Sequence, residues 1–81
     1  MRGPIPKMHK RSALAVARLM VTLRSKYESR GFIHEADACQ LVEESAWMLA
    51  NASGDEHRKK LLIQTIYDVL LYLFYLGRPL Q

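Results

Sequence analysis

Hydrophobic residues recur at spacings of three and four along most of this chain, and no segment alternates with a period of two. That spacing is the period of an amphipathic α-helix, so the pattern predicts helices and no strand. A first helix is predicted from about Met8 or Arg11 to Arg30, with Gly31 at the C-cap position. Its apolar stripe consists of Ala13, Val16, Ala17, Met20, Leu23 and Tyr27.

A second helix is predicted from His34 to Asn51 or Ala52. Its apolar face consists of Ala38, Val42, Ser45, Leu49 and Ala52. The polar stretch NASGD then interrupts the pattern with residues that favour turns. Either Ser53, as the start of a capping box, or Asp55 supplies the N-cap of a third helix.

The third predicted helix ends at Leu76, with Gly77 as its C-cap and Pro79 blocking any continuation. One of its apolar stripes consists of Leu62, Ile66, Val69, Leu73 and Leu76. A second stripe beside it consists of Ile63, Tyr67, Leu70 and Phe74. A helix in a three-helix monomer needs only one apolar face. Either this helix is central and touches both others, or, as we favour, its second stripe is an intermolecular interface.

The pattern as a whole predicts an all-α fold: a helical hairpin followed by a long C-terminal helix, in one domain over residues 8–77. Residues 1–7, with two prolines, are expected to form a flexible N-terminal arm, and residues 78–81 a C-terminal tail. A chain of 81 residues is marginal on its own. With a single cysteine, Cys39, it cannot form an internal disulfide. We therefore expect a homodimer, paired as a helical bundle.

A membrane span is not expected. The apolar part of the third helix is shorter than the roughly 20 residues that a bilayer requires, and it contains Asp68. Arg18 and Arg24 interrupt any apolar signal segment near the start of the chain. The lone thiol fits a reducing compartment, so a cytoplasmic location is the expectation.

Charge is strongly segregated along the chain, although its net value is only +4. Residues 1–30 carry a net +7, residues 31–56 a net −6 and residues 57–81 a net +3. Such segments can balance one another within the molecule or within a dimer. They can also attract an acidic protein or a nucleic acid. The basic face that would do so consists of Lys7, Lys10, Arg11, Arg18 and Arg24.

Aromatic residues are the strongest candidates for partner contacts, because Trp and Tyr are enriched in interface cores. Trp47 falls opposite the apolar face of its helix, where a dimer partner, the N-terminal arm or another protein could cover it. Glu43 and Glu44 flank it and could pair with basic side chains of a partner. The predicted partner-binding residues are Trp47, Tyr67, Tyr72, Phe74, Tyr75, Glu43 and Glu44.

Catalytic chemistry has little support in the sequence. Glu43 and Glu44 are adjacent on a helix, so their side chains diverge by about 100° and cannot form a facing pair. The three histidines are scattered, and we expect neither a metal site nor a cofactor. The expected function is that of a small non-catalytic regulatory or adaptor protein that binds another protein. The alternative is a nucleic-acid-binding regulator that uses the basic arm and the first helix.

Overall fold

The computed structural model describes residues 7–80, which contain three α-helices and no strand. Helix α1 spans Lys10–Ser29, α2 spans Ile33–Asn51 and α3 spans Glu56–Tyr75. The predicted all-α, three-helix fold is therefore confirmed, whereas its pairing into a dimer stays a prediction. Residues 1–6 of the predicted arm and position 81 of the predicted tail lie outside the described residues.

The turn between α1 and α2 depends on Gly31, as the sequence predicted. Gly31 has a φ of +73°, a left-handed conformation that other residues rarely adopt. Its N–H donates to the carbonyl of Glu28, and the N–H of Phe32 donates to the carbonyl of Tyr27 at 2.9 Å. The rings of Tyr27 and Phe32 lie 6.4 Å apart, which completes a Schellman motif with its hydrophobic contact.

Particular residues define where helix α3 begins and where it ends. Of the two candidate N-caps, Asp55 performs the role: its Oδ1 accepts a hydrogen bond from the N–H of Arg58 at 3.0 Å. At the other end, the helix ends at Tyr75 and its C-cap is Leu76, so the predicted C-cap, Gly77, lies one residue beyond it and does not adopt the left-handed conformation. A Cβ atom at Gly77 would lie 2.6 Å from the carbonyl oxygen of Leu73, so a larger residue there would displace the backbone.

Helix α2 is the central element of the fold. It packs against both α1 and α3, whereas no Cα atom of α1 lies within 8 Å of a Cα atom of α3. The interpretation that α3 is the central helix is therefore wrong. The Cα atoms extend over 39 × 30 × 15 Å, so the molecule is flat. The short connections make consecutive helices antiparallel, so α1 and α3 run in the same direction.

The core forms where α1 and α3 each meet α2. Its most completely buried large side chains are Met20 of α1, Cys39 and Val42 of α2, and Ile66 of α3. Several core positions of α1 and α2 are small, which allows their backbones to approach closely. These small buried residues are Ala13, Ala17, Ala36, Ala46 and Ala50.

An ion pair attaches the segment after α3 to the first turn of α2. The carboxylate of Glu35, which is only 3% exposed, accepts hydrogen bonds from the backbone N–H of Arg78 and from its Nε and Nη2 atoms, at 2.8–2.9 Å. The guanidinium also lies 4.1 Å from the ring centroid of Phe32. Leu80 packs against the core. The segment that the sequence assigned to a tail is thus held against the domain over residues 78–80.

Replacing Ile66 by Ala should destabilise the fold by about 2–5 kcal/mol, because it leaves a cavity among fully buried neighbours. Leu61 lies in the same helix but is 52% exposed, so Leu61→Ala should change stability by no more than about 0.5 kcal/mol. Urea unfolding followed by circular dichroism measures both values. Equal losses for the two variants would contradict the described core.

The Glu35–Arg78 ion pair should make stability depend on pH in the acid range. The hydrogen bonds from Arg78 lower the pKa of Glu35 from 4.5 to about 2 in the folded state. This contribution is complete above pH 4.5 and is lost as the pH falls from 4.5 towards 2. Glu35→Gln should therefore melt at a lower temperature than wild type at neutral pH, and the difference should shrink across that range.

The matched control for this pH series is Glu44→Gln, in the same helix, because Glu44 is exposed and its hydrogen-bond partner within residues 7–80 is the nearby Gln40. Its melting temperature should stay close to that of wild type throughout the series. A Glu35→Gln difference that remains constant down to the lowest pH would show that the ion pair does not hold the segment in place.

Candidate functional site

An apolar groove lies between α1 and α3. Because these helices both pack on α2 and their backbones stay apart, their side chains leave a cavity of about 140 Å³ open at the surface. The groove is lined by Val16, Leu19, Met20, Leu23, Tyr27, Leu70, Leu73 and Phe74. Every one of these side chains is apolar or aromatic, so the groove favours an apolar occupant.

Large exposed apolar side chains border this groove. Phe74 is 80% exposed and Leu19 is 55% exposed. Tyr67 and Leu71 continue the exposed surface along α3, because they lie seven and three residues before Phe74 on the same side of the helix. We call the surface formed by the groove together with Leu19, Tyr67, Leu71 and Phe74 the α1–α3 face.

The structure separates the four aromatic residues of α3 that were predicted to bind a partner. Tyr67 and Phe74 belong to the α1–α3 face. Tyr75 is 79% exposed, but it follows Phe74 directly and so points about 100° away from it. Tyr72 is half-buried against the core. Only two of the four therefore share one surface.

Trp47 occupies a different part of the surface, near the C-terminal end of α2. Its side chain is 38% exposed, and its Nε1 donates to Oε2 of Glu43 at 3.3 Å. The other carboxylate oxygen of Glu43 accepts from Nη1 of Arg24 at 2.9 Å. The amide of Asn51 donates to the backbone carbonyl of Trp47. The hydrogen bond to Glu43 positions the indole ring, which is partly exposed to solvent.

The Arg24–Glu43 ion pair changes the interpretation of two predicted site residues. Glu43 was expected to pair with a partner, but its carboxylate is already bound within the molecule. Arg24 was expected to extend the basic face, but it reaches across to α2 instead. Arg11 and Arg18 remain exposed on α1, and Glu44 remains exposed on α2.

A depression next to Trp47 lies where α2 connects to α3. It has a volume of about 510 Å³ and is wide open to solvent. Its lining consists of Trp47, Met48, Asn51, Ala52, Ser53, Asp55 and Arg58. The depression thus brings an aromatic ring and a guanidinium to the same site.

Basic residues from two distant segments meet at one end of the molecule. The segment from Lys7 to His9 lies against the first turn of α3, where it shares a depression of about 240 Å³ with Glu56, Lys59 and Ile63. We call the cationic side chains at this end the basic pole. They are Lys7, Lys10 and Arg11 from the α1 side and Arg58, Lys59 and Lys60 from α3.

Sequence reasoning identified the α1 half of the basic pole and missed the α3 half. The HRKK stretch at residues 57–60 contributed only to a net charge for its segment. The signal that could have found it is topological. Three helices joined by short loops place the first turns of the first and third helices at the same end.

The buried thiol of Cys39 is poorly suited to nucleophilic chemistry. It has no exposed surface, and burial raises its pKa to about 11, with only a partial opposing effect from Arg24. Within residues 7–80, no three histidine, cysteine or acidic side chains gather as metal ligands would. None of the helices in that range is both long and apolar enough to cross a membrane.

Comparison of the chain with protein-family models, with curated proteins and with solved structures finds no match. Three surface features stand out within residues 7–80: the α1–α3 face, the depression beside Trp47 and the basic pole. Apolar, aromatic or cationic side chains dominate each of them.

Cys39 should react with a thiol reagent only when the protein unfolds, because it is inaccessible and its pKa is far above neutral. Ellman's reagent added to the native protein at neutral pH should modify it slowly, and added in denaturant should modify it at once. Fast modification of the native protein would contradict the buried placement. A surface cysteine introduced at Ser25, which is exposed, provides the positive control.

Proposed function

We propose that this chain is a small non-catalytic regulatory or adaptor protein that binds other protein chains through the α1–α3 face. The observation that carries the proposal is the exposure of Phe74, at 80%, beside an apolar groove. Contiguous apolar surfaces of this kind commonly mark protein interaction sites. A cytoplasmic location fits the free thiol of Cys39, since a reducing compartment keeps such a group unpaired.

The dimensions of the groove favour a protein side chain over a small-molecule ligand. Its volume of about 140 Å³ is below the range of roughly 300–1,000 Å³ that is typical of ligand pockets. It is nevertheless apolar along its length and bordered by projecting side chains. A groove between two helices of this kind suits the apolar face of a third helix.

The first occupant that we propose is a second copy of the chain. A twofold interface requires a surface that is complementary to itself. The α1–α3 face has a projecting ring, Phe74, directly beside a groove, so the ring of each copy can enter the groove of the other. Such a dimer would also enlarge the core of a domain that is small enough to be marginal alone. The dimer would in turn present Trp47 and the basic residues of both copies to a regulated partner.

Light scattering behind a sizing column should give a dimer mass for the wild-type chain. Phe74→Ser should weaken the association about tenfold or more, because truncating a central aromatic anchor has effects of that size. Tyr75→Ser is the matched control, since Tyr75 is equally exposed on the same helix but lies outside the α1–α3 face. It should leave the dimer intact.

A monomeric wild type over the whole concentration range would overturn the second copy as the occupant. A dimer that survives Phe74→Ser but dissociates in Tyr75→Ser would instead place the interface on another side of α3. Circular dichroism of both variants verifies that they fold, and high salt should leave the dimer intact because the proposed contacts are apolar.

A further inference from the structure

The basic pole is a concentrated and largely unpaired group of cations. Lys7, Lys10, Arg11, Arg58 and Lys60 are exposed and form no ion pair within residues 7–80. Lys59 forms an ion pair with Glu56, three residues earlier in α3, at 3.4 Å. The N-terminal ends of α1 and α3 also point to this pole and add to its positive potential. A polyanion is the partner that such a surface attracts.

The depression beside Trp47 begins where the basic pole ends, because Arg58 belongs to both. The indole ring is held in place by Glu43 and through it by Arg24. The indole ring and Arg58 line the same depression, together with Asp55, and so offer a stacking surface and a phosphate contact at one site. Proteins that bind single-stranded nucleic acid combine these two features, stacking bases on aromatic rings and following the backbone with cations.

The layout of the surface argues against an anionic membrane as the partner. A membrane-surface helix carries basic and apolar residues along the same length, so that both reach the interface together. Here Arg58 lies in the first turn of α3 and Phe74 in its last, about 24 Å apart along the helix. The cations and the most exposed apolar side chains of α3 and its C-cap, Phe74 and Leu76, therefore occupy opposite ends of this helix.

We propose that the basic pole and Trp47 together bind single-stranded nucleic acid, with the phosphates on the pole and one base stacked on the indole ring. This inference does not depend on the α1–α3 face. It also differs from a site on the outer side of α1, because it requires the basic turn of α3 and excludes Arg24, which is engaged with Glu43.

The probe is a fluorescein-labelled oligothymidylate of about 12 nucleotides, a length within the range of single-strand binding sites. Anisotropy reports binding, and the fluorescence of Trp47, the only tryptophan in the chain, reports stacking. We expect binding that quenches Trp47. With three or four phosphate contacts, affinity should fall roughly 20- to 50-fold when the salt concentration is raised fourfold.

Two double variants with the same change in net charge test whether binding depends on the basic pole itself or on net charge alone. Arg58→Glu with Lys60→Glu should weaken binding about tenfold or more and should reduce the salt dependence, because two phosphate contacts are lost. Arg18→Glu with Lys26→Glu changes exposed residues of α1 outside the pole, and should retain most of the affinity. Trp47→Ala should lower the affinity about fivefold or more and should leave the salt dependence unchanged.

Equal losses in the two double variants would overturn the inference, since attraction would then follow net charge alone. If polyglutamate displaces the labelled probe as well as unlabelled oligonucleotide does, and does not quench Trp47, the basic pole is a site for acidic polypeptides instead. Binding to phosphatidylserine vesicles in the absence of oligonucleotide binding would reassign it to a membrane surface. If the Arg58→Glu, Lys60→Glu protein fails to fold by circular dichroism, the corresponding glutamine pair replaces it.

Discussion

The close contact of α2 with both of its neighbours is the constraint on which the other features depend. Small side chains such as Ala17 on α1 and Ala46 on α2 allow the helices to approach without leaving voids. Because α2 occupies the position between α1 and α3, the backbones of those two helices cannot close on each other. The apolar groove is thus a direct result of this packing. It exists because the largest side chains of α1 and α3 have more apolar surface than α2 can cover.

Two carboxylates of α2 fix the register of this helix against its neighbours, which apolar packing alone leaves loosely defined. Glu43 binds Arg24 of α1, and Glu35 binds Arg78 beyond α3, so each neighbour of α2 is joined to it by one ion pair. Apolar contacts tolerate small slips along a helix axis, whereas a hydrogen-bonded ion pair requires a particular register. Part of the charge segregation along the sequence is therefore satisfied inside the molecule. Most of the cations that form no ion pair within residues 7–80 lie at the basic pole.

Local signals in the sequence predicted the helices well, because caps and periodicity act over a few residues. Gly31 and Asp55 could be located in this way, and the buried positions of α1 and α3 followed from their spacing. On α2 the predicted face included the half-buried Ala38 and Ala52 and missed the buried Glu35, Ala36, Cys39 and Ala50. Which helices pack against each other could not be predicted. Periodicity identifies faces but not neighbours, so neither the central position of α2 nor the pairing of Arg24 with Glu43 was evident. The contact between Glu35 and Arg78 joins residues 43 positions apart, a separation that no local pattern reports.

Because Glu35 and Arg78 are far apart in sequence, their ion pair depends on the docking of α3 against α2. Helices α1 and α2 form a hairpin whose contacts are close in sequence, so little loop entropy opposes its formation. The contact of Arg78 with Glu35 joins residues 43 positions apart and forms only when α3 has docked. Both the groove and the basic pole need α1 and α3 side by side, so neither exists in the hairpin alone. Binding at either surface would therefore favour the state in which α3 is docked, and would stabilise the folded molecule.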